Sequence, residues 1–184
     1  MRVAGDVASV MKPQDYPEQP AHLWRHFYEI SQIPRPSGSE AQLREHIVNL
    51  AKEQDCDCSV DQAGNLVVRV PGRGSLARAP VVIIQNHLDM VTVKTDDKTH
   101  DFERDPLNLQ VDGDWLLADR TTLGADNGVG CAAALALLTD DSIVHPPLEL
   151  LFTVEEETGL FGAADLDASM LTGERMLNLD TEDW

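Results

Sequence analysis

The chain has 184 residues, with 14 Lys+Arg against 32 Asp+Glu and a formal net charge of -18. That length suits one domain and is marginal for two, and 42% hydrophobic residues supply a core, which excludes global disorder. So acidic a surface repels nucleic-acid phosphates, and the apolar runs are too short and broken to span a bilayer, so neither nucleic acid nor membrane is an expected partner.

Residues 1–19 hold Arg2 and Lys12 but no sustained apolar stretch. They read as a loose leader, not a secretion signal, and the domain proper is placed at 20–184. "AHLWRHFYEISQI" sets Leu23, Phe27 and Ile30 at helical spacing, and Pro34 and Pro36 stop that helix. "SGSEAQLREHIVNLAKEQ" predicts a second helix. Ser39 and Gln42 stand at capping-box spacing, and Leu43, Ile47, Leu50 and Ala51 share one apolar face.

"DQAGNLVVRV" reads as a turn at Ala63–Gly64–Asn65 and then a strand, and "PGRGSLARAP" as a basic loop. A strand over 81–85 follows and leads into His87-Leu88-Asp89. "LNLQVDGDWLLAD" predicts a hairpin with Asp112-Gly113 at its turn. The glycines of "GADNGVG" mark a loop, and Cys131 to Leu138 suits a buried helix. "PLELLFTV" is a strand ending in "EEETGLFGA", and "RMLNLD" is a last short strand ending in Asp180. Cys56, Cys58 and Cys131 are an odd number without C-x-x-C spacing, so reduced thiols in a cytoplasmic protein are expected.

Strands separated by helices predict an α/β fold with a mostly parallel central sheet flanked by helices. In such sheets ligands gather at the carboxyl ends of strands. Three of these strands end in groups able to bind metal: His87 and Asp89, Glu155-Glu156-Glu157, and Asp180. The loop holding Asp126 opens into a helix at what could be the same edge. Zn2+ takes imidazole and carboxylate ligands, and two such ions about 3.5–4 Å apart can activate water and polarise a carbonyl together. Asp126 is the candidate bridge between two ions, and His87, Glu157 and Asp180 are candidate terminal ligands. Asp89 could orient His87 through a hydrogen bond. Glu156, adjacent to Glu157 and unable to point the same way on regular backbone, is the candidate general base.

Each piece also has a plainer reading. His87 could be a core histidine bonded to a carbonyl, and the Glu triplet an acidic first helical turn. The glycine loop could be only a tight connection, and Asp180 an N-cap or a solvated side chain. No G-x-S-x-G elbow, H-E-x-x-H helix or P-loop is present. His22, His26, His46, His100 and His145 lack ligand spacing and are left as surface or structural groups, and Cys131 reads as packing, not as a nucleophile.

"NHLDMV", "TTLGADNGVG", "EEETGLFGA" and "LNLDTED", in this order and spacing, resemble the aminoacyl-histidine dipeptidases, in the co-catalytic zinc aminopeptidase and carboxypeptidase superfamily. The resemblance runs from about Pro20 to the end. It implies a zinc-peptidase-like catalytic domain that hydrolyses dipeptides, including Xaa-His, with two Zn2+ ions; Mn2+ or Co2+ would suit the same donors. Carried over motif by motif, it makes His87, Glu157 and Asp180 terminal ligands, Asp126 the bridge, Asp89 the orienting carboxylate and Glu156 the general base. It further implies a homodimer for the full-length proteins, and that residues 20–184 are the N-terminal part of a catalytic domain. The lid or dimerisation domain and a further metal-binding histidine would then lie outside the chain. The alternative is a truncated, non-catalytic remnant with an incomplete metal site.

Overall fold

A computed structural model describes residues 11–180. Two helices open it, α1 (Ala21–Ser31) and α2 (Ala41–Glu53). α1 buries Phe27 and Ile30 and α2 buries Leu43, Ile47 and Ala51, as the 3.6-residue period requires. Residues 1–10 of the expected leader lie outside the described residues. Its remainder is tied down: Tyr16 is buried, packs edge-on against Trp24 and Tyr28, and its hydroxyl donates to the Trp24 carbonyl at 3.0 Å.

The strands are β1 (Asp57–Val60), β2 (Leu66–Val70), β3 (Val82–His87), β4 (Leu109–Asp112), β5 (Trp115–Ala118), β6 (Leu148–Thr153) and β7 (Arg175–Asn178). Helices α3 (Ala125–Thr139) and α4 (Phe161–Ala164) complete the order. The α/β expectation holds. The central sheet has the order β1-β2-β6-β3-β7, with β6, β3 and β7 mutually parallel and β1 and β2 joined antiparallel at one side. β4 and β5 form the expected hairpin as a separate two-stranded sheet.

Helices α1, α2 and α3 cover one face, where Ile84, Leu150 and Phe152 of the sheet meet Phe27, Leu43, Ile47 and Leu135. The other face buries Val67, Ile83, Leu151 and Met170 under the β6–β7 connection. That connection is pinned by Glu149, a buried carboxylate on β6. It accepts from the main-chain N–H groups of Thr172 and Gly173 and from the Thr172 hydroxyl at 2.7 Å. β7 is an edge strand with all four residues exposed. No helix among the described residues is long and apolar enough to cross a membrane.

Three expectations shift. Strand β1 carries no clear alternation and was not foreseen in "DCSV". Strand β3 continues through His87, so the histidine belongs to the strand and pairs with Thr153 of β6. The capping box does not form. Helix α2 begins at Ala41 without a side-chain cap, and the Ser39 hydroxyl donates to Glu103 instead (3.3 Å). The residue before the helix, Glu40, turns its carboxylate back to the N–H groups of Gly38 and Glu155, at 3.0 and 2.9 Å.

Candidate metal centre

Because β3, β6 and β7 are parallel and in register, their carboxyl ends emerge side by side. His87 lies opposite Thr153, and Gln85 opposite Asn178. The residues just beyond are Asp89, the Glu155–Glu157 turn and Asp180. α3 approaches from the helical face, and its first residues carry Asp126. Regular helical geometry is broken at Asp126 and Asn127, whose connecting peptide is cis. The buried amides of Asn86 and Asn127 tie this start to β3, with Asn86 Nδ2 donating to Asn127 Oδ1 at 2.9 Å.

The structure brings all six predicted site residues together. His87 is the centre, with a ring 1% exposed. Its Nδ1–H donates to Asp89 Oδ1 at 3.2 Å, so Nε2 faces the open side. There Asp126 Oδ1 stands at 2.9 Å, Asp180 Oδ2 at 3.8 Å and Glu156 Oε2 at 3.9 Å. Two trios place their ligand atoms within 4.8 Å of one another: His87, Asp126 and Glu157, and His87, Glu156 and Asp180. Asp126 is the most open of these, with a side chain 56% exposed.

Asp89 has no exposed surface, and its two oxygens collect four donors. Oδ1 accepts from His87 Nδ1 and the Glu156 N–H (3.1 Å). Oδ2 accepts from the Ser37 hydroxyl (2.7 Å) and the Glu157 N–H (3.1 Å). So Asp89 does more than orient the imidazole: it also holds the glutamate turn. Glu40 holds the same turn one residue earlier, at Glu155, whose backbone lies in the left-handed region (φ 50°). The sequence reading missed Ser37 and Glu40. Their one signal was a pair of side-chain acceptors and donors in a Pro/Gly turn, "PRPSGSE", where no helix or strand consumes them.

The electrostatics follow from this packing. Burial opposes ionisation of Asp89, but the hydrogen bonds from His87, Ser37 and the two N–H groups outweigh it and bring the carboxyl down to about 2. Burial likewise disfavours a charged His87 ring. The hydrogen bonds to Asp89 and Asp126 and the charges of Asp89 and Asp180 win, raising it to about 9. Glu156 is raised by burial and by the charges of Asp180, Glu157 and Asp89, against the pull of His87. Glu157 is raised by burial and by Asp126. Among the described residues no lysine or arginine forms an ion pair with Asp126, Glu156, Glu157 or Asp180; the buried guanidinium of Arg35 acts on Asp126 and Glu157 only through its charge.

The cysteines and two of the other histidines take structural places. Cys131 is buried in α3, its thiol donating to the His87 carbonyl, and burial pushes it up to about 12, so it is packing and no nucleophile. All three cysteines are free. His26 is a buried structural group between Glu29 and Thr139, and His145 donates to the Pro146 carbonyl.

The resemblance read from the motifs is borne out. Over 164 residues the chain is 45% identical to the cytosol non-specific dipeptidase of Escherichia coli (strain K12), a match covering 89% of this chain and 34% of that protein. The crystal structure of an aminoacylhistidine dipeptidase from Vibrio alginolyticus matches with a TM-score of 0.87 at 43% identity, over 90% of this chain and 34% of that one. A tripeptidase from Staphylococcus aureus shares the fold, with a TM-score of 0.72 at 24% identity over 88% of this chain and 43% of that one. This chain therefore spans about a third of the length of the first two. No protein-family model matches it.

Proposed function

We propose that residues 20–184 are the N-terminal part of the catalytic domain of a dinuclear metallopeptidase that hydrolyses dipeptides, Xaa-His among them, in the cytoplasm. The observation that carries this reading is the convergence of Asp126, Glu156, Glu157 and Asp180 on His87 Nε2, with no lysine or arginine ion-paired to any of them among the described residues. Uncompensated carboxylates repel one another, and a divalent cation turns that repulsion into binding. The likeness to two dipeptidases at more than 40% identity supports the choice of substrate class.

The donor set fits the metal. One imidazole nitrogen and three carboxylates suit Zn2+, and Mn2+ or Co2+ as well. His87, Glu157 and Asp180 would be terminal ligands and Asp126 the shared one. A bound pair would polarise the scissile carbonyl and acidify the attacking water. The chain's own residues do the rest. Asp89 fixes the imidazole tautomer so that Nε2 is free to ligate. Glu156, held above its ordinary range by burial and by the charges of Asp180, Glu157 and Asp89, takes the proton of the attacking water and passes it to the leaving amine.

The two glutamates are separated by one experiment. Elemental analysis of the zinc-dialysed chain is paired with hydrolysis of an Xaa-His dipeptide. His87→Ala and Glu157→Gln should lose metal. Glu156→Gln should keep it and lose turnover by roughly 10²–10⁴-fold. The opposite pattern, metal lost from Glu156→Gln and kept by Glu157→Gln, would reverse the roles. Turnover that survives both chelation and Glu156→Gln would sink the metallopeptidase reading. Metal bound without turnover in any variant, also when the C-terminal part of a dipeptidase relative is supplied in trans, would favour a non-catalytic metal-binding module.

A further inference from the structure

Arg35 sits between two prolines in the turn joining α1 to α2, and it is 2% exposed. A buried guanidinium is ordinarily matched by a carboxylate, because removing it from water is costly. Here it makes no such ion pair. Nη1 donates to the main-chain carbonyls of Leu88 (2.8 Å) and Asp89 (2.6 Å), and Nη2 to that of Gly124. Nε has no partner.

The three acceptors belong to two separate loops. Leu88 and Asp89 follow His87 at the end of β3, and Gly124 precedes Asp126 at the start of α3. One planar fork therefore spans the two backbones whose side chains meet at His87 Nε2 and Asp126 Oδ1, 2.9 Å apart. A lysine, a single point donor on a flexible stem, cannot hold both loops in one fixed geometry.

The same contact explains two glycines of "GADNGVG". A Cβ on Gly124 (φ +67°) would stand 2.6 Å from Arg35 Nη2. A Cβ on Gly128 would stand 2.8 Å from that nitrogen and 3.2 Å from the Phe27 ring. These glycines make room for the guanidinium behind Asp126.

We propose that Arg35 is a positioning residue: its fork sets the separation of His87 from Asp126 and so the geometry of the candidate metal pair. The part concerning metal rests on the function proposed above; the part concerning His87 does not. A plain structural cross-link is the competing role, and it would affect stability without moving the His87 ring.

The test compares the full chain with Arg35→Lys, first metal-free and then under Co2+ titration. In the metal-free proteins, nitrogen-detected histidine NMR follows the His87 ring, with His22 and His145 as internal controls. Arg35→Lys is expected to unfold cooperatively, to shift the His87 ring signals and to leave the two controls in place. Co2+ affinity should fall roughly ten- to a hundredfold, with an altered visible band. A folded Arg35→Lys chain with unchanged His87 signals overturns the proposal. If the wild-type chain takes up no Co2+, the metal reading fails, and the metal-free His87 signals still decide the role of Arg35. If Arg35→Lys does not fold, Gly128→Ala takes its place. It presses a methyl group onto Nη2 while keeping the guanidinium, and must move the same signals if Arg35 positions the ring.

Discussion

Asp89→Asn replaces the buried hub of the site by its nearest isostere, and the cost follows from counting donors. Four donors converge on two carboxylate oxygens, two on each. An asparagine presents one oxygen and one NH2 group. If the NH2 stands at Oδ2, the Ser37 hydroxyl can rotate to accept from it, but the Glu157 N–H is left facing a donor. If it stands at Oδ1, His87 Nδ1 can accept as the other tautomer, and the Glu156 N–H is left instead. Either orientation orphans one buried main-chain donor, worth about 1–3 kcal/mol, and weakens the other bonds by removing the charge that strengthens them. The expected destabilisation is about 2–3 kcal/mol, which for a domain of this size lowers Tm by roughly 4–12 °C. The assay is thermal unfolding of the metal-free chain by circular dichroism, with urea unfolding as a check on the slope. The same variant should show a disordered Glu155–Glu157 turn by faster amide exchange. A metal-free Asp89→Asn chain that melts within a degree of wild type would refute the hub role, because no rearrangement of one amide satisfies both N–H groups.

Two further outcomes follow from the core and the far face of the sheet. Burial opposes ionisation of Glu149, but the Thr172 hydroxyl and the N–H groups of Thr172 and Gly173 outweigh it and hold the carboxyl below its ordinary range. Its stabilisation is therefore complete above the unfolded value and fades as pH falls through the lower folded value, so Glu149→Gln should flatten the acid limb of a Tm-against-pH curve; an unchanged limb would contradict this. Leu135 on α3 has no exposed surface and lies in the main core. Leu135→Ala should cost about 2–5 kcal/mol in urea unfolding, while a loss under 1 kcal/mol would mean that α3 is not packed against the sheet as described.

Much of this protein is determined locally. The period of Phe27 and Ile30, and of Leu43 and Ile47, specifies which faces of α1 and α2 turn inward, because only one stripe of a helix can be shielded from water. The runs that became β3 and β6 are apolar on both faces, as a strand covered on both sides must be. Placing His87, the glutamates and Asp180 at the ends of such runs is enough to locate the candidate site, since parallel strands deliver their carboxyl ends to one edge. What the sequence alone did not determine are contacts between residues far apart in the chain. Ser37 reaches Asp89, Glu40 reaches Glu155, and Asp89 reaches the N–H groups of Glu156 and Glu157. No periodicity encodes these bonds. Ser39 had capping spacing and Glu40 did not, yet Glu40 is the buried acceptor, because a donor 115 residues away competes successfully for its carboxylate. Likewise the glycines before and after Asp126 mark a loop in the sequence, but only the folded chain shows that Arg35 packs against them. Local pattern selects the elements and the edge where they end; the angles and distances within the site come from long-range hydrogen bonds that exist only once the sheet has assembled.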